Sequence, residues 1–377
     1  MPDKHAILTC SGSSRWLNCL PSARMELEFE DQTGDAALEG TAAHSMGETK
    51  INHYLGLETP RQTTLFDNEE MEKYTDDYAS FVIEQYEKAK QKDPEAKLFT
   101  EVQVDLSCYV PEGFGTCDCL IVSKGEMTVI DFKYGLGLLV DATDNSQMKL
   151  YALGALRKYE DEYNIKKCRL IIFQPRRENI SYWITTAAKL HSWAKKVVIP
   201  KAQKAFYGEG KLNPGVWCQF CKCRYQCKGR AEMNLKEVQR DFRKPELLTD
   251  SELSDIITKI PEMKKWLEDL WEYAEKQAIA GKHFDGLKLV ESKTNRKYVS
   301  DTEVAKACKA AGYEDIYKKT LKTIRELEGY MGKKEFARIL EDTGLVVKPK
   351  GNPTLALESD TRPDYLDLKN EFKKENE

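Results

Sequence analysis

The order of apolar segments in the middle of the chain constrains its fold more than any other feature. Three strand-like runs come in close succession, and Ser123-Lys124-Gly125 between the second and the third is short enough for a hairpin. A helical stretch over 144–160 follows, and then two more strand-like runs. This order predicts an α/β protein with a mixed sheet flanked by helices. The five predicted strands are Leu98–Ser107, Gly115–Ser123, Glu126–Lys133, Cys168–Gln174 and Ile180–Thr185.

Helical periodicity predicts further helices on both sides of these strands. Residues 1–35 read mostly as loop, because Ser, Gly and Pro cluster between positions 11 and 22. The predicted helices cover residues 36–54, 69–90 and 186–207.

Charge and proline content divide the chain into two expected domains. The first spans residues 1–230, and residues 231–377 form a connector and a small, mostly helical module. The charged, proline-terminated segment 228–245 is the predicted connector. The module is expected to contain a helix over 246–280, a short strand pair over 283–298, small helices over 301–343 and an extended end from Pro349.

Composition excludes several classes of protein. The 377 residues carry a formal net charge of −4, and 41% are hydrophobic while 32% are charged, which is typical of a folded globular chain. No apolar run approaches the roughly 20 residues of a membrane helix, and the first residues lack a secretory leader pattern. We therefore expect a cytoplasmic protein in a reducing compartment, whose cysteines are metal or cofactor ligands before they are disulfides.

Acidic residues and a lysine lie on the central strands. Asp118 and Asp131 are on two strands joined by a tight turn, so antiparallel pairing can bring both carboxylates to one face, as a divalent cation requires. Lys133 follows two residues after Asp131, and period-two alternation puts both on the same side. Glu101 on the preceding strand offers a third carboxylate. An Asp-x-Lys triplet is by itself also compatible with an ordinary exposed strand end.

Three further motifs accompany this triplet in a fixed order. Gly40-Thr41-x-x-His44 precedes the strands, Gly115-x-x-Asp118 contains the first aspartate, and Gln147-x-x-x-Tyr151 follows on the next helix. Together with the acidic first strand and Asp131-x-Lys133, this pattern resembles the RecB-like branch of the PD-(D/E)XK nuclease superfamily. The resemblance implies a restriction-endonuclease-like fold and hydrolysis of phosphodiesters in DNA.

The resemblance also implies the ligands of a catalytic cation. Imidazole is softer than carboxylate, so Mn²⁺ is a credible alternative to Mg²⁺. The implied ligands are His44, Asp118, Asp131 and the backbone carbonyl of Phe132.

Four other side chains receive roles from the same resemblance. Glu101 supplies the acidic residue of the first strand, and Lys133 assists the nucleophilic water. Gln147 and Tyr151 position the DNA strand near the metal.

Cysteines are concentrated in one short segment after the predicted nuclease unit. Residues 218–227 read Cys-Gln-Phe-Cys-Lys-Cys-Arg-Tyr-Gln-Cys, and four cysteines in ten residues indicate a thiolate site. Taken locally, Cys218, Cys221, Cys223 and Cys227 predict a four-thiolate zinc site.

A distant cysteine offers an alternative. Cys19 with Cys218, Cys221 and Cys227 resembles the layout of iron–sulfur nucleases of the AddB and CRISPR-adaptation type, with one cysteine before the core and three after it. This resemblance implies a 4Fe–4S cluster that closes a loop of about 200 residues. Cys223 departs from the pattern, and Cys10 is a weaker rival to Cys19.

The sequence thus favours a metal-dependent DNA exonuclease of phage or prophage replication or recombination, whose C-terminal segment around 351–363 resembles a phage and prophage family. DNA is the expected partner. A single-strand-binding or annealing protein, or a helicase, is expected from relatives alone. The alternative is a non-catalytic DNA-binding or recombination accessory protein on a nuclease scaffold.

Overall fold

The computed structural model describes residues 6–29, 34–238 and 249–287, and beyond these positions 302, 324, 329–330, 332–343 and 345–346. The chain divides into two compact units, Met1–Lys282 and His283–Glu377.

The first unit is built on a five-stranded sheet whose strands keep their sequence order. All neighbouring strands are antiparallel except β3 and β4, which run parallel with Asp131 opposite Ile172. The mixed sheet expected from the sequence is therefore confirmed. Its strands are β1 (Lys97–Asp105), β2 (Phe114–Ser123), β3 (Glu126–Phe132), β4 (Lys167–Gln174) and β5 (Asn179–Thr186).

Helices cover both faces of the sheet. The described α-helices of the first unit are α1 (Ser13–Trp16), α2 (Ser22–Glu26), α3 (Asp35–Tyr54), α4 (Glu69–Lys92), α5 (Ser146–Tyr163), α6 (Ala187–Trp193), α7 (Ile199–Tyr207), α8 (Lys228–Val238) and α9 (Asp250–Ile279), and α10 (Lys333–Phe336) belongs to the second unit. Short 3₁₀ turns cover Pro175–Arg177 and Val216–Phe220, and π-helical turns cover Ala194–Val198 and Ala337–Glu341.

Two apolar clusters form the core, one on each face of the sheet. The crossover helix α5 packs with α6, α7 and the N-terminal segment on one face. Helices α3 and α4 pack on the other face, where the Tyr78 ring stacks on Phe132 at 4.3 Å between ring centroids. Burial of these apolar side chains supplies the main stabilisation of the fold.

Two asparagine caps fix where the long helices begin. The side chain of Asn68 accepts a hydrogen bond from the backbone N–H of Met71, which starts α4. Asn145 accepts from the N–H groups of Gln147 and Met148 and so starts α5. The second cap places Gln147 in the first turn of the crossover helix.

The pleat of the sheet is interrupted at one position. Cys117 packs in the cluster beneath α5, whereas Cys119, two residues later, packs in the cluster beneath α3 and α4. Residues two apart on a regular strand share a face. On β1, Glu101 stands between the paired residues Thr100 and Val102 with a φ of 45°, in the left-handed region. The interruption therefore lies at Asp118 and at Glu101 opposite it.

Two segments outside the predicted helices contain helical residues. Residues 1–35, predicted to be mostly loop, contain the short helices α1 and α2 among their described residues, and Trp16 of α1 is buried in the core. The predicted connector is helical through Val238, because Arg230 and Asn234 of α8 are buried and hydrogen-bonded.

The helix expected over 246–280 is confirmed as α9, which contains Pro261 and begins at a capping box between Thr249 and Glu252. In the second unit, the described part of the expected small helices is α10 and the π turn that follows it. The strand pair over 283–298 and the end from Pro349 lie largely or wholly outside the described residues. The domain boundary at residue 230 stays a prediction.

Among the described residues, no helix combines the length and the apolar character that crossing a bilayer demands.

Close contact between α5 and β1 gives a test of the packing. A Cβ added at Gly154 would lie 2.6 Å from the Cβ of Val104, so Gly154→Ala should destabilise the protein by about 1–3 kcal/mol. Thermal unfolding measures the change. Gly40→Ala is the control, because a Cβ there meets nothing within 4 Å and alanine favours a helix. Equal melting temperatures for Gly154→Ala and the wild type would contradict this packing.

Candidate functional site

The site lies where two strands of the sheet separate. Pairing between β2 and β3 ends at Cys119 and Ile130, and the next residues on the two strands are Asp118 and Asp131. The backbone N–H of Phe132 donates to Oδ2 of Asp118 at 2.7 Å, which holds that carboxylate in the fork. The sequence expectation that the two aspartates meet is consistent with this register.

Helix α3 and strand β1 bring two further groups to Asp118. Nδ1 of His44 lies 3.4 Å from Oδ1 of Asp118, and the His44 ring packs 5.3 Å from the Phe132 ring. One ligand atom each from His44, Glu101 and Asp118 lies within 4.8 Å of the others. This cluster of an imidazole and two carboxylates is the only such group among the described residues.

Mutual electrostatics shift the pKa values of this cluster. Burial alone would lower the pKa of His44, but the carboxylates of Asp118, Asp131 and Glu101 outweigh it and raise the pKa to about 9. Burial and the charge of Asp118 raise the pKa of Glu101 to about 7. Burial also opposes ionisation of Asp118, yet the neighbouring His44 holds its pKa below the ordinary value. At neutral pH the metal-free cluster therefore contains an imidazolium.

Asp131 is the most buried acid of the site, with 2% of the residue exposed. Nζ of Lys133 lies 2.9 Å from its Oδ2, and Nε2 of Gln147 donates to its Oδ1 at 3.0 Å. Lys133 also reaches Oε1 of Gln147 at 3.4 Å. Burial would lower the pKa of Lys133, but Asp131 and Asp118 raise it, so the ammonium stays charged.

Tyr151 lies one turn after Gln147 on α5. Tyr151 is 7% exposed, and its hydroxyl accepts a hydrogen bond from Nε2 of Gln147 at 3.1 Å. The structure thus joins Tyr151, Gln147, Asp131 and Lys133 in one network. A direct contact of Gln147 or Tyr151 with DNA stays a prediction.

The donor atoms match the preferences of a hard divalent cation. Carboxylate oxygens are suitable ligands for both Mg²⁺ and Mn²⁺, and an imidazole nitrogen favours Mn²⁺ over Mg²⁺. Oδ2 of Asp131 is buried and makes no hydrogen bond to a described residue, although Lys133 lies beside it. His44, Glu101, Asp118 and Asp131 can therefore hold such an ion. Glu101, which the sequence predicts as the acidic residue of the first strand, has a carboxylate oxygen within 4.8 Å of ligand atoms of His44 and Asp118.

Five cysteines line a second site. Cys19 lies about 200 residues before Cys218, Cys221, Cys223 and Cys227, yet all five line one cavity. Hydrogen bonds tie the N-terminal segment to this region. The N–H of Asn213 donates to the sulfur of Cys19 at 3.5 Å, and the N–H of Lys222 donates to Glu26 at 2.9 Å.

The spacing of the sulfurs bears on what they can hold. Sγ of Cys221 and Sγ of Cys223 are 3.2 Å apart, but no three cysteine sulfurs of the described chain lie within 4.8 Å of one another. Tetrahedral zinc would place its four sulfurs about 3.8 Å apart. Cys10 is elsewhere, packed in the core against Gly115.

Sequence reasoning missed the arginines around these cysteines. Arg15, Arg224 and Arg230 line the same cavity, and Arg230 has no exposed surface. Arg230 follows Cys227 by three residues inside the segment predicted as a connector, and only its buried partners on α9 identify it.

The fold and the two clusters define a mixed α/β protein with a carboxylate–histidine centre at a strand fork and a separate cysteine cavity. The chain belongs to the family DUF2800, described as a protein of unknown function, which matches residues 5–363.

Two solved structures are similar to parts of the chain. The protein SSO0001 is 13% identical, covers 48% of this chain and 94% of its own, and gives a TM-score of 0.23. A phage-related exonuclease from Haemophilus somnus 129PT is 14% identical, covers 54% of this chain and 94% of its own, and gives a TM-score of 0.22. At these TM-scores neither likeness bears on function.

The electrostatics of the cluster can be tested by titrating His44 in metal-free protein. Its imidazole should titrate near pH 9 by NMR, and Asp118→Asn should lower that pKa, because the neighbouring carboxylate raises it. A folded-state pKa above the ordinary 6.5 means that this interaction stabilises the fold fully below about pH 6.5 and is lost as the pH rises through about 9. The exposed Asp76→Asn is the control. An unchanged His44 pKa in Asp118→Asn would contradict the geometry.

Proposed function

We propose that this protein is a metal-dependent deoxyribonuclease that hydrolyses phosphodiesters, acting as an exonuclease on linear DNA. The observation that carries the proposal is the group of His44, Glu101 and Asp118 within 4.8 Å, beside the buried pair of Asp131 and Lys133. The ordered motifs that resemble RecB-like nucleases support DNA as the substrate.

The three carboxylates of the site favour a cation over a bare phosphate. Three carboxylates, those of Glu101, Asp118 and Asp131, converge there against one lysine and one histidine. A phosphodiester brought to this surface alone would meet like charge in a partly buried environment. A cation held by the carboxylates and His44 removes that repulsion.

When bound, a divalent cation supplies Lewis-acid stabilisation of charge on the phosphoryl oxygens and lowers the pKa of water. Lys133 keeps its proton at neutral pH because Asp131 and Asp118 raise its pKa. A lysine that stays charged is a poor general base. Its ammonium instead donates hydrogen bonds that orient the attacking water and offset charge on the phosphate.

Gln147 sets the position of that ammonium. Its Nε2 donates hydrogen bonds to Asp131 and to Tyr151, and its Oε1 accepts one from Nζ of Lys133. Rotation of the amide group would break these hydrogen bonds. The asparagine cap at the start of α5 fixes its backbone. Gln147 therefore holds Asp131 and Lys133 in position beside the strand fork, and, since it is only half-buried, it is also the proposed contact for DNA.

Substitution of the reacting groups tests the nuclease. Asp118→Asn and Lys133→Ala should each reduce cleavage of end-labelled linear DNA by at least about 100-fold, because each removes charge stabilisation from the reaction. Chelation of divalent cations should abolish cleavage by the wild type. Circular dichroism should show that both variants remain folded. Lys124→Ala, at the exposed β2–β3 turn, is the matched control and should retain full activity.

Retained activity in purified Lys133→Ala would refute the role of Lys133. A folded, metal-loaded wild type that is inert on every form of DNA would instead favour the accessory protein on a nuclease scaffold.

We further propose that Cys19, Cys218, Cys221 and Cys227 hold a 4Fe–4S cluster, with zinc as the alternative. The cavity that these cysteines line and the resemblance to iron–sulfur nucleases support this choice. Such a cluster would join the N-terminal segment to the end of the nuclease unit and stabilise the fold, since metal binding is coupled to folding. Cys223 lies near enough to Cys221 to be a competing ligand.

Cysteine substitutions test the cluster in anaerobically purified protein. The wild type should be brown and contain about four iron atoms per chain. Cys19→Ala should lose most of the iron and lower the melting temperature, whereas Cys223→Ala should keep both. The control is Cys168→Ala, because Cys168 is buried in the core away from the cavity. Colourless wild-type protein that contains zinc would contradict the iron–sulfur assignment.

The wider role follows the same proposal. The protein would process DNA ends in phage or prophage replication or recombination in the cytoplasm, beside a single-strand-binding or annealing protein or a helicase. The resemblance of residues 351–363 to a phage and prophage family supports this setting.

A further inference from the structure

Arg230 joins the cysteine cavity to helix α9. It lies on α8, is fully buried, and uses two of its three nitrogens on carboxylates of α9. Nε donates to Glu262 at 2.7 Å and Nη1 donates to Asp269 at 2.6 Å. Asp269 is itself buried, with 1% of the residue exposed. A fully buried arginine with two ion pairs is thus the main polar link between α8 and α9.

The third nitrogen of Arg230 has no such partner. Nη2 is buried and makes no hydrogen bond to any described residue. An unsatisfied buried donor on a charged group costs about 1–3 kcal/mol or more, so a native structure ordinarily supplies an acceptor. Arg230 lines the cavity that the five cysteines also line. The cysteine sulfurs of that cavity are one set of acceptors, and Oδ1 of Asp269, which is also buried without a hydrogen-bond partner among the described residues, is the other.

The charges around Asp269 complement an anionic group in the cavity. Arg224 and Lys265 also approach Asp269, at 3.6 and 3.3 Å, so three cations surround two carboxylates. A group held by four thiolates carries net negative charge, which the guanidinium of Arg230 at the cavity would offset.

We propose that Arg230 is a positioning residue that donates a hydrogen bond from Nη2 to a sulfur of the cysteine-held cluster, and that it thereby makes docking of helix α9 depend on the cluster. This inference rests on the proposed iron–sulfur cofactor. Removing the cluster would leave Nη2 of Arg230 without its sulfur acceptor and would remove the negative charge beside its guanidinium. The guanidinium would then be held less firmly against Glu262 and Asp269, and helix α9 would pack less tightly on α8.

The first experiment uses wild-type protein and needs no substitution. Amide hydrogen exchange is measured on the full chain with the cluster loaded and after iron is removed by a chelator under anaerobic conditions. Exchange in Asp250–Ile279 should accelerate by about 10-fold or more after iron removal, while the sheet strand β4 keeps its protection. Unchanged protection of α9 would overturn the coupling.

The second experiment changes Arg230 and keeps its charge. Arg230→Lys retains a cation but loses the fork that reaches two carboxylates and a sulfur together. Hydrogen bonds to sulfur make reduction of such a cluster easier, so the variant should have a more negative midpoint potential in a dye-mediated titration. It should also release iron to a chelator about 10-fold faster. Arg224→Lys is the control, because Arg224 lines the same cavity but is partly exposed.

The outcomes separate this inference from the assignment of the cofactor. Wild-type protein without iron would overturn both the cluster and the role of Arg230. Iron-loaded Arg230→Lys with the potential and iron-release rate of the wild type would overturn only the role of Arg230. A shift in Arg230→Lys that Arg224→Lys does not share is the result expected.

Discussion

The placement of Asp118 and Asp131 side by side at a strand fork is the constraint on which the rest of the site depends. Two carboxylates brought together out of water repel each other and lose hydration, so each needs compensation from its surroundings. Asp118 accepts a hydrogen bond from the N–H of Phe132 and lies beside the ring of His44. Asp131 lies beside the ammonium of Lys133 and accepts a hydrogen bond from Gln147. Strand β3, helix α3 and helix α5 are thus each held in position by one or more groups that face these acids.

The same constraint accounts for the local irregularity of the sheet. Glu101 stands opposite Asp118 in a left-handed conformation, which costs a non-glycine residue about 1–3 kcal/mol. The distortion coincides with the change of face between Cys117 and Cys119. Because of this distortion, the Glu101 carboxylate lies near Asp118 at the strand fork. The strained backbone lies at Glu101, beside the other proposed ligands. Binding of a cation there would offset the free-energy cost of this conformation.

Much of this architecture is predictable from the sequence, because alternating apolar residues and short turns specify the five strands and their mixed pairing. The proximity of Lys133 to Asp131 follows from period-two spacing. The left-handed Glu101 is not predictable, since its conformation depends on Asp118 across the strand pair. Helix α8 is not predictable either, because the buried Arg230 pairs with carboxylates more than 30 residues later, and in sequence it is one more charged residue in a predicted connector.

The central claim is that the strand fork binds a divalent cation, and crystals soaked in Mn²⁺ test it most directly. Anomalous diffraction at the manganese edge should show a peak about 2.0–2.6 Å from carboxylate oxygens of the fork, with His44, Glu101 and Asp118 around it. Asp118→Asn crystals should lose that peak. Well-ordered wild-type crystals with no manganese at the fork, or with manganese bound only elsewhere, would contradict the account.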